Sequence, residues 1–144
     1  MTESTEEVAA FRAMNEPVVD EFRANEGRVG GQFENIDLLL LTMTGAKSGQ
    51  PRLAPLAYFV IDGKTIIVGS KGGAPSDPDW VRNIRANPRV QVEVGTDTYD
   101  AVARELPSEE RDETYPKVVA VQPGFGEYQA KTSRVIPLFE LQRV

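Results

Sequence analysis

The chain has 144 residues, and its 22 acidic and 16 basic side chains give a formal net charge of −6. It contains neither cysteine nor histidine, which excludes disulfides, thiolate nucleophiles, cysteine or histidine metal sites and the commonest general base. A chain this acidic is not expected to bind nucleic acid, so a basic site on it must be local.

The first predicted element is an amphipathic helix over residues 4–25, in which apolar residues recur at helical spacing. Pro17 predicts a kink in it. Because the polar face is acidic, the pattern favours packing against the core and does not support contact with a membrane surface. The N-terminal residues MTESTEE are acidic and do not resemble the start of a secretory signal. No apolar run reaches the ~20 residues that span a bilayer. We therefore expect a cytoplasmic protein.

Two hairpins are predicted next. Residues 38–44 and 53–60 are apolar runs separated by the break GAKSGQP at 45–51, which indicates two strands and a turn. The dipeptide Asp62-Gly63 is typical of a tight hairpin turn. Residues 65–69, TIIVG, are β-branched and apolar and form the third predicted strand.

Two loops are rich in glycine, lysine and serine: the turn within the first hairpin and the loop after the third strand. In the first loop, Gly45 and Gly49 can take positive φ, which lets consecutive backbone N–H groups point into one concavity. Its donor side chains are Lys47, Ser48 and Arg52. The second loop contains Ser70, Lys71, Gly72 and Gly73. Together the loops favour an anion, most simply a phosphate, on which both could converge, although solvated turns also use these residues.

A short helix follows, for which Asp77 is the predicted N-cap, Pro78 the first residue and Asn87-Pro88 the end. Its buried face is predicted to consist of Trp80, Val81 and Ile84. Trp80 is expected in the core more than as a stacking platform. Asn83 lies at the margin of that face and could meet a ligand. The arginines nearby are expected to be solvated; they are Arg82, Arg85 and Arg89.

The remaining predicted elements are two alternating strands, a helix, a short helical piece and a final strand. The three strands span residues 90–94, 99–106 and 135–144. Ser108 is the predicted N-cap of the helix, which the residues QPG at 122–124 break. The short helical piece carries Phe125 and Tyr128.

About six strands in antiparallel hairpins, with three or four helices and no regular βαβ alternation, predict a mainly β (α+β) fold. The predicted architecture is a small antiparallel barrel with an N-terminal helix and two to three inserted helices. The glycine loops lack the spacing of a Rossmann fingerprint or a Walker P-loop. We divide the single domain into residues 1–30, the N-terminal helix and its connection, and residues 31–144, the barrel.

Two runs carry a resemblance to a known family. They are LLLLTMTGAKSGQPRLAPLAYF at residues 38–59 and IIVGSKGGAPSDPDWVRNIRANPRVQVEV at residues 66–94. The chain resembles the deazaflavin-dependent nitroreductases and F420H2-dependent quinone reductases, small split β-barrel proteins of actinobacteria that bind reduced coenzyme F420. The similarity extends from about Gly30 to the C-terminus. The motifs TGxKSGxPRxxPL and SKGGxxxxPxWxxNxxANP are specific in combination.

The resemblance implies a cytoplasmic reductase that transfers a hydride from reduced coenzyme F420 to a quinone, activated enone or nitroaromatic acceptor, without a metal. It implies that Lys47 and Arg52 hold the phosphate and acidic tail of the coenzyme, while Ser48 and Gly49 shape the loop. The implied neighbours of the tricyclic ring are Pro55, Leu56 and Ala57. The second wall would consist of Ser70, Lys71, Gly72 and Gly73, and the helix would contribute Trp80 and Asn83.

On the acceptor side, Tyr128 is the candidate proton donor or substrate-orienting residue, and Phe125 would stack against a flat acceptor. Alternatively, both aromatics simply pin the last helix to the barrel. The chain has Ala46 where many relatives carry arginine, and Gln122 and Phe125 where nitroimidazole-reducing members carry tyrosines. Quinones or conjugated enones are therefore favoured over nitroimidazoles as acceptors.

Two other functions stay open at this point. An FMN-binding split-barrel oxidoreductase would share the barrel and an anion loop. A non-catalytic carrier protein would bind the deazaflavin without turnover. The expected partners are the coenzyme and a small-molecule acceptor, and the sequence leaves the chain a monomer or a homodimer.

Overall fold

The computed structural model of the chain describes residues 16–30 and 37–144. Residues 16–24 are helical and are called α1 here, so the predicted N-terminal helix is confirmed over that range. Its residues 4–15, which make up most of the helix on the N-terminal side of the predicted kink at Pro17, lie outside the described part. The division at residue 30 stays a prediction.

Six strands form a closed antiparallel barrel in the order β1-β2-β3-β6-β5-β4. After α1 the chain contains β1 (Leu38–Thr44), β2 (Pro51–Ile61), β3 (Lys64–Val68), a 3₁₀-helix (Lys71–Gly73), α2 (Asp79–Ala86), β4 (Arg89–Val94), β5 (Asp97–Glu105), α3 (Ser108–Val121), α4 (Gly124–Ala130) and β6 (Leu138–Arg143). The mainly β (α+β) antiparallel barrel predicted from the sequence is thereby confirmed. The Asp62-Gly63 turn is also confirmed, since both residues have positive φ between β2 and β3.

The barrel interior is apolar because alternate residues of each strand point inward. Residues from five strands meet there: Leu39, Leu41, Ile67, Val92, Ala101 and Phe139. Trp80, Val81 and Ile84 of α2 join the same core, and the Trp80 and Phe139 ring centroids are 5.8 Å apart. The predicted buried face of α2 is confirmed, and the helix closes the barrel at the end where β1 finishes.

Helices also cover two parts of the outer barrel surface. α3 and α4 pack over β2, β3 and β6, where Tyr115 and Val118 belong to one buried cluster with Leu138. α1 packs over β1, where Phe22 and Leu40 belong to another. No helix in the described residues combines the length and apolarity that crossing a bilayer requires.

Strand β2 has two strand neighbours over only part of its length. Residues 51–57 pair with β1, whereas among the described residues β3 pairs only with residues 58–61. The Tyr58 amide donates to the Asp37 carbonyl at 3.1 Å, so even-numbered residues of β2 direct their peptide groups toward β1. Odd-numbered residues direct theirs to the opposite side.

We call that opposite side of residues 51–57 the open edge. Among the described residues, its outward peptide groups are the N–H and C=O of Leu53, the C=O of Pro55 and the N–H of Ala57, because the Tyr58–Ile67 pair engages the Ala57 carbonyl with the Val68 amide. Pro51 and Pro55 both occupy odd positions of this register, where a missing N–H costs no bond to β1. Both prolines therefore lie in a long strand without interrupting its ladder.

The predicted N-cap role of Asp77 is wrong. α2 has Pro78 at its N-cap, and no side chain caps the helix. The Asp77 carboxylate instead accepts from Arg134 Nη1 at 2.9 Å and from Arg85 Nη1 at 3.2 Å. Two guanidinium partners hold the carboxylate away from the helix terminus, because hydrogen bonds to a charged donor are stronger than those to a neutral backbone amide.

The predicted N-cap role of Ser108 is wrong for a different reason. Pro107 occupies the N-cap position of α3, and Ser108 is already its first helical residue. The Arg111 amide bonds the Pro107 carbonyl at 2.8 Å, so the helix starts one residue earlier than predicted. The predicted helix ends are confirmed, with Asn87 and Gln122 as C-caps.

Candidate functional site

The loop between β1 and β2, residues 45–50, is closed by its own hydrogen bonds. The Gly45 amide donates to the Gln50 carbonyl at 2.8 Å, and the Gly49 amide to the Gly45 carbonyl at 3.0 Å. The Gln50 amide donates to Ser48 Oγ at 3.2 Å. Gly49 has a φ of +68°, the left-handed conformation that the sequence predicts for it.

These bonds limit the amides that can face an anion, and that consecutive amides of the loop point into one concavity stays a prediction. Four of its amides donate to protein acceptors, namely those of Gly45, Ala46, Gly49 and Gln50. Gly45 also has no positive φ. Glycine is needed there for space, since a Cβ would lie 2.5 Å from Ser48 Oγ. The loop is therefore suited to take an anion through its side chains.

Ser48 and Arg52 form one unit within this loop. Arg52 Nη2 donates to Ser48 Oγ at 3.1 Å, and Nη1 donates to the Pro51 carbonyl at 3.1 Å. Because Ser48 Oγ accepts from both Arg52 and Gln50, its hydroxyl hydrogen is left to donate to another acceptor. The exposed Lys47 lies next to this unit in the chain.

Asn83 of α2 links the helix to the same loop. Its residue is 4% exposed, and its Oδ1 accepts the Ala46 amide at 2.9 Å. Within residues 16–30 and 37–144, no acceptor is bonded to its Nδ2 group. A buried donor without an acceptor is costly, so this nitrogen is a place where a ligand oxygen would be stabilised.

The second predicted loop contains the 3₁₀-helix, with Gly72 at its centre. The Ser70 carbonyl accepts the Gly73 amide at 2.9 Å, whereas its hydroxyl caps no helix and has no other bond within the described chain. Ser70 is 8% exposed, and it and Asn83 are the only buried polar residues in the described part of the chain. Lys71 is exposed and has a φ of +47°, which is unusual for a residue with a Cβ.

Gly73 fixes the second loop against α4. It has a φ of +84°, and a Cβ built there would lie 2.7 Å from the Tyr128 carbonyl oxygen. Only glycine satisfies both the positive φ and this close approach. The loop of Ser70 to Gly73 and helix α4 therefore hold each other in place.

The open edge of β2 runs between the two loops. At one end, Pro51 directly follows the loop of residues 45–50. The other end lies about 20 Å further along β2, where the β2–β3 register places Val68 opposite Ala57. Ser70 lies two residues after Val68 in the chain. The end of β3 thus does not itself reach the first loop. That both loops face one ligand stays a prediction.

The predicted neighbours of a ring lie on or near this edge. Pro55, Leu56 and Ala57 are all in the part of β2 that lacks a β3 partner. The Leu56 side chain packs against the barrel core and Ala57 against the layer under α1. Pro55 and Ala57 offer backbone groups to the edge, whereas the peptide groups of Leu56 point toward β1. Trp80 is 7% exposed and belongs to the core, as expected from the interpretation of it as a core residue and not a stacking platform.

Phe125 and Tyr128 lie on the outer surface of the barrel. The Phe125 ring packs edge-on against Phe59, with centroids 5.4 Å apart, and against Tyr128 at 5.3 Å. The Tyr115 hydroxyl donates to the Phe125 carbonyl at 2.7 Å, and burial raises the pKa of Tyr115, so the phenol keeps its proton. These contacts attach α4 to the barrel. A role of Phe125 and Tyr128 toward an acceptor stays a prediction.

Sequence reasoning missed Arg134, in the segment before β6. Its side chain is 15% exposed, and it donates to four acceptors, which are the carbonyls of Gly69, Ser70 and Ala74 and the Asp77 carboxylate. No periodic pattern surrounds Arg134, so nothing in the sequence separates it from a solvated arginine. The arginines predicted to be solvated are at the surface, as expected, and form ion pairs there, with Arg85 bound to Glu105 at 2.8 Å.

A separate cleft of about 1000 Å³ lies at the opposite end of the barrel. Its lining includes the chain after α1, Asp37 at the start of β1, and Tyr58. Burial raises the pKa of Tyr58, and the Asp37 carboxylate adds to the rise. None of the residues predicted for the site lines this cleft.

The chain is similar over most of its length to one family of known proteins. The family model described as F420H(2)-dependent quinone reductase matches residues 15–142. The chain is 35% identical over 128 residues to the F420H(2)-dependent quinone reductase Rv1261c of Mycobacterium tuberculosis, covering 85% of each chain.

Two solved structures are similar to this chain. One is described as an F420-H2 dependent reductase, FDR-A, with 44% identity and a TM-score of 0.66 over 73% of this chain and 93% of that one. The other is described as a domain-swapped dimer, with 38% identity and a TM-score of 0.68 over 90% of this chain and 98% of that one. Both matches agree with the antiparallel barrel.

Proposed function

The chain belongs to the F420H(2)-dependent quinone reductase family, and from this premise we propose that it reduces a quinone, an activated enone or a nitroaromatic with reduced coenzyme F420. We place the coenzyme along the open edge of β2. The observation that carries this placement is the edge itself, which runs about 20 Å between the two loops. Two buried donors lie near its ends, Asn83 Nδ2 beside one end and Ser70 Oγ beyond the other. Neither donor has an acceptor in the described chain.

The charges of the two loops fit an elongated anion. The coenzyme carries a phosphate and an acidic tail, whereas the chain has a net charge of −6, so its cations must be concentrated where the ligand binds. Lys47 and Arg52 lie at one end of the open edge, and Lys71 follows the other end. Charge-assisted bonds from these side chains, together with the Ser48 hydroxyl, would hold the charged parts.

The peptide groups of the open edge fit the flat ring. Leu53 offers a donor and an acceptor, Pro55 an acceptor only and Ala57 a donor only. A pyrimidine edge carries the complementary set of N–H and C=O groups, so the strand can orient the ring as it would orient another strand. Leu56 and Trp80 give this region apolar surroundings that exclude water.

When bound, the reduced deazaflavin supplies the hydride. The residues of this chain then need to bind, orient and exclude water, which agrees with a sequence that has no histidine or cysteine. On the acceptor side we assign Phe125 to stacking. Tyr128 Oη would donate a hydrogen bond or a proton to the oxygen that becomes reduced.

The test combines coenzyme binding with rapid-mixing kinetics. Fluorescence titration with coenzyme F420 gives its Kd, and stopped-flow mixing of the reduced coenzyme with menadione gives the rate of hydride loss. Lys47→Ala should weaken coenzyme binding about 10- to 100-fold and leave the KM for menadione nearly unchanged. Lys117→Ala is the control, because Lys117 is bonded to Asp62 in the β2–β3 turn, away from both loops.

Three outcomes would contradict the proposal in different ways. A larger effect of Lys47→Ala on the acceptor KM than on the coenzyme Kd would show that the phosphate assignment is misplaced. A yellow protein that copurifies with FMN and ignores coenzyme F420 would identify a flavin-binding relative. Tight coenzyme binding without faster oxidation would identify a carrier.

A panel of acceptors tests the choice of substrate class. Quinones and conjugated enones should be reduced faster than bicyclic nitroimidazoles, since Gln122 and Phe125 stand where nitroimidazole-reducing members carry tyrosines. Introducing tyrosine at both positions should raise the nitroimidazole rate relative to the menadione rate. An unchanged ratio would contradict this assignment of α4 to the acceptor side.

A further inference from the structure

The Arg134 side chain donates four hydrogen bonds to residues 69–77, the segment that contains the 3₁₀-helix. Its Nη2 donates to the Ser70 carbonyl at 2.8 Å and its Nε to the Ala74 carbonyl at 2.9 Å. Its Nη1 donates to the Gly69 carbonyl at 3.1 Å and to Asp77 Oδ1 at 2.9 Å. One guanidinium thus binds acceptors on both sides of the 3₁₀-helix.

The residue enclosed by these bonds has a strained backbone. Lys71 has a φ of +47°, and the left-handed conformation costs a residue with a Cβ about 1 kcal/mol or more. The bonds from Arg134 hold the carbonyl of Ser70 before it and that of Ala74 after it. Such strain persists only where the surroundings over-determine the conformation.

Side chains of α4 and α3 hold the backbone around Arg134 in place. Gln129 Nε2 donates to the Arg134 carbonyl at 2.8 Å, and Gln129 Oε1 accepts the Ile136 amide at 3.0 Å. Arg111 donates to Gln129 Oε1 at 2.6 Å and to the Ile136 carbonyl at 2.9 Å. The guanidinium of Arg134 is therefore presented to the loop from a fixed backbone.

We propose that Arg134 is a positioning residue of the coenzyme site, which keeps Lys71 in its left-handed conformation and thereby directs the Lys71 ammonium group toward the bound, anionic coenzyme. This inference rests on the proposed function, which makes the loop of Ser70 to Gly73 a wall of that site. Lysine cannot replace arginine here, because a single ammonium group cannot reach carbonyls on both sides of the loop.

The test is a double-mutant cycle measured by coenzyme binding. Its variants are Arg134→Lys, Lys71→Met and the two combined, and the readout is the Kd of the oxidised coenzyme from fluorescence titration. Each single change should weaken binding about tenfold. The double variant should bind about as weakly as either single variant, because both changes remove the same contact. The salt dependence of Kd should fall equally in all three variants.

Arg104→Lys is the matched control. Arg104 is also partly buried and bonded to two carboxylates, Glu110 and Glu140, but it has no bond to residues 69–77. It should lower the melting temperature without changing the Kd.

The outcomes separate this inference from the proposed function. If Lys71→Met weakens binding and Arg134→Lys does not, or if their effects add fully, the positioning role is wrong and the coenzyme site stands. If neither Lys71→Met nor Lys47→Ala changes the Kd, the coenzyme site itself is misplaced. Should Arg134→Lys fail to fold, Asp77→Asn replaces it in the cycle, and full additivity with Lys71→Met there also overturns the inference.

Discussion

Asn83 Oδ1 and the Ala46 amide are joined by a hydrogen bond of 2.9 Å, which attaches α2 to the loop between β1 and β2. Because the oxygen faces Ala46, the nitrogen of the same carboxamide faces another direction. One buried side chain thus both fixes the loop and leaves a donor beside it. The identity of oxygen and nitrogen is set by the amide donor, since only the oxygen can accept.

Asn83→Asp separates these two roles. The carboxylate can still accept from Ala46, so the fold should persist, but it replaces the donor with a negative charge. We expect the Kd of the coenzyme to rise about 10- to 100-fold, measured by fluorescence titration. Asn87→Asp adds the same charge one turn further along α2 and should have little effect. Equal weakening by both variants would show that general repulsion, and not the Asn83 donor, is responsible.

Gly73→Ala and Gly63→Ala separate backbone strain from steric clash. Both glycines have positive φ, but a Cβ at Gly63 meets nothing within 4 Å, whereas one at Gly73 lies 2.7 Å from the Tyr128 carbonyl oxygen. Urea unfolding should show a loss of about 1 kcal/mol for Gly63→Ala and about 2–4 kcal/mol for Gly73→Ala, where overpacking adds to strain. Similar losses in the two variants would mean that α4 moves freely away from the loop.

Amide hydrogen exchange tests the open edge without any mutation. The amides of Ala54 and Leu56 point toward β1 and should exchange slowly in the free protein. Those of Leu53 and Ala57 point to the open side and should exchange faster. Adding coenzyme F420 should slow Leu53 and Ala57 selectively. Uniform protection along β2 in the free protein would refute the open edge, and unchanged exchange on binding would place the ring elsewhere.

The ion pairs of Glu110 predict a pH dependence of stability. Hydrogen bonds from Arg104 and then Lys64 lower the pKa of this carboxyl below its ordinary 4.5. A carboxyl whose pKa is lower in the folded state stabilises the fold above the unfolded pKa, and this stabilisation is lost as pH falls through the folded pKa.

Glu110→Gln should therefore lower the melting temperature at pH 7, and the difference from wild type should shrink as the pH falls below 4.5. The measurement is thermal unfolding followed by circular dichroism across that pH range. Glu109→Gln removes the same charge from the exposed neighbouring position and should show a smaller difference. A difference for Glu110→Gln that stays constant down to the acid transition would contradict the assignment.

The elements that the sequence predicts well are those with local causes. Alternation predicts the strands, Asp62-Gly63 predicts its turn, and the residues QPG at 122–124 predict the end of α3, because each acts within a few residues. The start of β2 lies two residues before the predicted one and the start of β6 three residues after it, since ladder partners and not local pattern decide where a strand begins and ends.

The parts that could not be predicted depend on distant partners. Asp77 has the local features of an N-cap, but its carboxylate binds Arg134, 57 residues away. The loop of residues 45–50 has the composition of an anion nest, but four of its amides donate to oxygens of the loop itself or to Asn83 Oδ1. The open edge is invisible in sequence because it results from β3 ending early.

The two prolines of β2 have a consequence for the protein when no coenzyme is present. A strand flank without a neighbour is a template on which other chains can add and aggregate. Pro51 and Pro55 offer no amide hydrogen there, so an incoming strand would find every second donor position missing near the loop. On the edge that we propose for the coenzyme, the two prolines would thus keep the free protein from polymerising through its own backbone.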